Sequence, residues 1–132
     1  MAYTLIGNSF CKIPTPTEVY GSGSLVSATA VKFNMDVKQN LTGTFSYQDR
    51  PNNVGFNTKS FSSFSSSGAV GNGCATFGGP ATTLDGRSVT YSATACSNSG
   101  SADTFGIQVK DQQGKVISSR SDPLFSGSIN LR

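Results

Sequence analysis

The sequence predicts an all-β fold: an antiparallel small β-barrel of about eight strands, with a β-sandwich as the alternative. Three observations lead there. Short runs of alternating apolar and polar residues recur at regular spacing, and no stretch carries a useful length of helical periodicity. Charged residues make up only 13% of the 132 residues, about half the usual share, and Ser, Thr, Gly and Asn fill the surface positions instead. Glycines fall in both the first strand (Gly21, Gly23) and the last (Gly127), which suggests close approach of those strands and closure of a barrel.

Residues 1–18 read as an irregular N-terminal arm, with Ile13-Pro14-Thr15-Pro16 extended by its prolines, and 19–132 as a single domain. Val19 to Leu25 is the first strand. Val31, Phe33, Met35 and Val37 alternate with Lys32, Asn34, Asp36 and Lys38, a half-buried strand. After a turn at Gln39-Asn40, Leu41, Gly43, Phe45 and Tyr47 supply the inward face of its hairpin partner. Gly55 to Phe64 reads as one further strand, although Phe61 and Phe64 are out of period-2 step and call for a bulge or an outward ring. Phe105, Ile107 and Val109 form a later inward face, Asp111 to Gly114 turns, and Val116-Ile117 begins the return. Ser126 to Leu131 closes the sheet with Ile129 and Leu131 inward.

The middle of the chain holds a hairpin whose register can be read. Val89, Tyr91, Ala93 and Ala95 alternate with hydroxyl residues, and Ala75 and Phe77 alternate with Cys74 and Thr76. A three-residue loop, Leu84-Asp85-Gly86, with Gly in the left-handed position pairs Thr83 with Arg87. Phe77 then opposes Ala93, Ala75 opposes Ala95, and Cys74 meets Cys96 on the outer face. A two-residue Asp85-Gly86 loop with a compensating bulge at Gly78-Gly79 reaches the same pair. The expected disulfide adds about 3 kcal/mol by the chain-entropy argument; two separately buried thiols are the alternative. Cys11 is the odd cysteine, free, buried or bonded to another chain. No metal site is expected, since there is no histidine and the cysteine spacing is not that of a finger or ribbon.

The order of motifs resembles the post-COAP domain family. The matching pieces are the glycine-rich first strand, VKFNMDVK, LTGTFSYQDR, GNGCATFGGPATTLDGRSVTYSATA, SADTFGIQV and the terminal FSGSINLR, over roughly residues 19–132. The resemblance implies a small β-rich domain, alone or appended to a bacterial extracellular or surface protein. Family members usually carry histidine after the FSYQD-like strand and near the C-terminus, where this chain has Arg50 and Arg132.

Composition and motifs narrow the function. The net charge of +3 is scattered singly, with no basic stripe, so nucleic acid is not an expected partner. No apolar run is long enough to span a membrane, and Met1-Ala2-Tyr3 lacks the basic start of a secretion leader, so a secreted or cell-surface protein would be in its mature form. Without histidine, with seven dispersed carboxylates and no G-x-S-x-G elbow, catalysis is not expected, and neither is a cofactor. Asp49, Arg50 and Asp103 lie at strand ends, where a barrel mouth places functional groups. The reading that results is a non-catalytic extracellular structural or interaction module, whose N-terminal arm either adds to a neighbouring copy in a cell-surface assembly or packs on its own barrel and covers an open end. The alternative is a barrel holding a small apolar molecule among Phe33, Met35, Phe45, Tyr47 and Phe105, or a carbohydrate. Core filling is the expectation favoured for those five residues, because a barrel of about eight strands is usually just wide enough for its own side chains.

Overall fold

A computed structural model describes residues 15–132. Ten strands follow one another: β1 Glu18–Leu25, β2 Val31–Lys38, β3 Gly43–Asp49, β4 Val54–Thr58, β5 Ser63–Ala69, β6 Asn72–Thr82, β7 Ser88–Ser97, β8 Thr104–Lys110, β9 Val116–Pro123 and β10 Ser126–Leu131. They form two five-stranded sheets, sheet I in the order β9-β8-β7-β6-β5 and sheet II in the order β10-β1-β2-β3-β4. Every neighbouring pair is antiparallel.

The fold is therefore all-β, but the expected barrel is corrected to a sandwich-like pair of sheets. The first and last strands do pair: Gly127 lies opposite Gly23, with a φ of 99° and a position where a Cβ would strike the Ser22 carbonyl. What fails is closure elsewhere. The chain crosses from sheet II to sheet I after Thr58 and returns after Pro123, and among the described residues no ladder joins the sheets, only an isolated bridge from Phe56 to Thr83.

The crossing also explains the step error at Phe61 and Phe64. Gly55 to Phe64 is not one strand. Phe61 is buried in the passage between sheets, and Phe64 begins a new face in β5, packed against the core. A second correction concerns Leu41, expected inward. It sits in the β2–β3 turn at a φ of 67° and is exposed, because the turn runs from Lys38 to Thr42 and pairing resumes only at Gly43.

The stapled hairpin has the register expected. Cys74 opposes Cys96 and is bonded to it, Ala75 opposes Ala95, and Phe77 opposes Ala93. Its loop closes with the Thr83 N–H donating to the Arg87 carbonyl at 2.8 Å and Gly86 at positive φ. Between the sheets lies an aromatic core: Phe33 of β2 stacks on Phe105 of β8 at 4.1 Å, and Phe45 of β3 meets Phe77 of β6 edge-on at 5.0 Å. The N-terminal arm residues Leu5, Ile6, Phe10 and Cys11 lie outside the described residues.

Candidate functional site

Asp49 ends β3 with its side chain turned into the fold rather than out at a rim. It is fully buried, an arrangement that demands partners. Arg120 of β9 supplies a two-pronged bond, Nε to Oδ2 at 3.0 Å and Nη2 to Oδ1 at 2.9 Å. The Ser118 hydroxyl donates to Oδ2 at 2.7 Å, and the Asn52 side-chain amide donates to the same oxygen at 2.7 Å. Tyr47 completes the group through a 2.8 Å bond with Ser118. Burial alone would raise the Asp49 pKa, but the bonds from Arg120, Asn52 and Ser118 outweigh it and hold the carboxyl at about 2. Burial pushes the Tyr47 phenol above its ordinary value. Because Asp49 belongs to sheet II and Arg120 to sheet I, this cluster is a polar clasp between sheets.

The three strand-end residues are separated in role. Arg50 is exposed, with its backbone N–H on the Ala30 carbonyl at 2.9 Å. Asp103 accepts from the Asn98 N–H at 2.9 Å and the Ile129 N–H at 2.8 Å, tying the β7–β8 loop to β10. Asp49 and Arg50 border one shallow cleft with Asn53 and Asp85, and Asp103 is not among its lining residues. Sequence reasoning picked out Asp49 and missed Arg120 and Ser118. The one available signal was that β9 offers polar residues where an inward apolar face was sought.

Phe33, Met35, Phe45, Tyr47 and Phe105 are all buried in the core between the sheets. An open groove of about 510 Å³ lies on sheet II, and of those five residues Phe33 and Tyr47 are among its lining. Ser22, Asn34, Ser46, Gln48 and Asn57 line it, with Lys32 as its charged member. At one end of the same sheet, Glu18 takes two bonds from Arg132, at 2.8 and 3.2 Å, and lies 3.5 Å from Lys38. The Arg132 bonds hold Glu18 at about 2. Arg132 also covers the Tyr20 ring at 4.1 Å.

Among the described residues, no group of three or more His, Cys, Asp and Glu side chains could hold a metal ion, and no helix is long and apolar enough to cross a membrane. Fold and site together define a class: a two-sheet antiparallel β-protein with one disulfide-stapled hairpin and a buried carboxylate–guanidinium clasp. Comparison with protein-family models, curated proteins and solved structures returns no match.

Proposed function

We propose that this chain is a non-catalytic extracellular structural or interaction module, of the post-COAP kind, which associates with itself at a cell surface. The observation that carries the reading is the use made of its carboxylates. Asp49 and Asp103 tie strands together, Asp85 and Asp111 close turns, and Glu18 anchors the C-terminal Arg132. Five of the seven carboxylates are thus spent on holding strands and turns in place. The Cys74–Cys96 bond supports an oxidising compartment, and a surface poor in charge supports close packing of copies.

Light scattering of the non-reduced protein over a concentration series, with negative-stain microscopy of the same samples, tests the proposal. Ordered polymers that grow with concentration are expected. A monomer at every concentration would overturn it.

A second reading rests on the sheet II groove. Ser22, Asn34, Ser46, Gln48 and Asn57 have no side-chain hydrogen bond to any described residue, and they offer donors and acceptors suited to a carbohydrate chain. Titration calorimetry with soluble oligosaccharides would detect such binding. Heats no larger than dilution would remove this reading and leave the first intact.

A further inference from the structure

Two sheets leave four edge strands, and an edge with free backbone groups is a template for pairing unless it is blunted. Three of the four are blunted. β9 has a register shift between Val116 and Ser118 and carries Arg120, Asp122 and Pro123. β4 is only five residues long, and the Leu84 N–H of the β6–β7 turn occupies its Gly55 carbonyl at 2.8 Å. On β10, the Asp103 carboxylate takes the Ile129 N–H.

β5 is different. Its seven residues, SFSSSGA, contain no charge and no proline, and they pair with β6 in unbroken register from Ser63 to Ala69. Among the described residues nothing pairs with its other side. The start of the described chain also lies here: the Ser66 hydroxyl donates to the carbonyl of buried Pro16. Pro16, two residues after the arm of residues 1–14, therefore lies beside this strand. Residues 2–11, AYTLIGNSFC, carry no charged side chain, like the edge itself.

The geometry points to β5 as the acceptor for residues 1–14 of a second copy, added as a strand. The inference rests on the self-assembly reading and names its contact. A second copy is favoured over the chain's own arm for two reasons. Ser66 is the fourth of the seven residues of β5, so a chain that reaches Pro16 beside it can follow only about half of its own edge in one direction. Pro14 and Pro16 bias that junction toward extended backbone and against a reversal onto the other half. Fourteen extended residues reach roughly 46 Å, ample for an edge of seven residues in a neighbour. An arm of one copy laid on the edge of the next makes a head-to-tail contact, which propagates into an open filament when the exchange is not reciprocal.

The test uses two full-length variants. Ser65→Lys/Ser67→Lys charges the acceptor edge at exposed positions and leaves the arm intact. Ile6→Pro/Asn8→Pro removes two backbone donors from the arm and leaves the edge intact. Each alone is expected to weaken association by about tenfold or more, with an unchanged melting temperature as the check on folding. Mixed, they are expected to form a one-to-one dimer in sedimentation, the intact arm of one on the intact edge of the other. Should the double lysine variant fail to fold, Ser67→Lys alone takes its place. Polymers from the wild type, from both variants and from their mixture alike would overturn the inference while sparing the self-assembly reading. So would a mixture that stays monomeric, or arm variants that polymerise more readily than wild type, the sign of an arm shielding its own edge. A monomeric wild type would remove both.

Discussion

The two edges of sheet I, β9 and β5, are built from opposite materials. β9 turns Ser118 and Arg120 toward Asp49 on the other sheet, so its polar side chains lock the sheets together while its charges and Pro123 discourage pairing by strangers. β5 turns Phe64 toward the core and presents serines elsewhere. One edge is thus fastened and guarded by the same residues, and the other, among the described residues, is neither. The difference teaches that in a chain so poor in charge, where each charged side chain is placed decides which surfaces stay available for contact.

The largest effect should come from unfastening β9. Asp49→Ala leaves Arg120 without its partner at the sheet interface, and loss of one member of a buried pair costs roughly 3–5 kcal/mol. Urea denaturation measures this, and a double-mutant cycle with Arg120→Ala should return strong coupling. A loss below about 1 kcal/mol would show that β9 is held by its backbone ladder and core contacts alone.

On the β5 side the comparable fastening is covalent but one strand removed. The Cys74–Cys96 bond staples β6 to β7 and so steadies the ladder on which β5 rests. Cys74→Ser/Cys96→Ser should cost about 3 kcal/mol, less than the clasp at its upper range. Thermal melts of the two variants side by side would rank them, and a disulfide loss larger than the clasp loss would reverse the comparison.

Acid should act on β9 before β5. The Asp49 carboxyl lies at about 2 in the fold against an ordinary 3.8, so its contribution is complete above about pH 4 and is lost as pH falls through 2. That contribution amounts to about 2 kcal/mol. Glu18 titrates in the same direction, held low by Arg132, so its share must be separated. Asp49→Asn should flatten the acid limb of the stability curve by more than Glu18→Gln does, because Arg132 is exposed and its bonds are screened by water. Equal flattening would show that the Glu18–Arg132 pair carries as much of the acid sensitivity as the clasp.

Much of this was legible in the sequence where the information is local. The Cys74–Cys96 register follows from a turn of three residues and two alternating runs, and the β2 faces follow from VKFNMDVK. The sheet crossing was half legible, since Phe61 and Phe64 declared a break in step without saying that the break carries the chain to another sheet. What stayed hidden was non-local. Arg120 lies 71 residues beyond Asp49, and its inward position on a polar strand gives hydrophobic alternation nothing to detect. Barrel or sandwich was hidden too, because the choice rests on backbone pairing across β4 and β5, which side-chain patterns do not encode.

The smallest effect is the most discriminating. A lysine at Ser65 on β5 and a lysine at Ser119 on β9 both replace exposed hydroxyls, and each should change stability by no more than about 0.5 kcal/mol. Melting temperatures alone would call the two edges equivalent. Association should not, since β9 already carries charge and a register shift whereas β5 carries neither. Light scattering of Ser65→Lys beside Ser119→Lys should therefore show polymers lost from the first and kept by the second. Polymers lost from both would mean that β9 also meets a neighbour, so that its guards act on register rather than on contact; polymers kept by both would mean that neither edge is the one copies use.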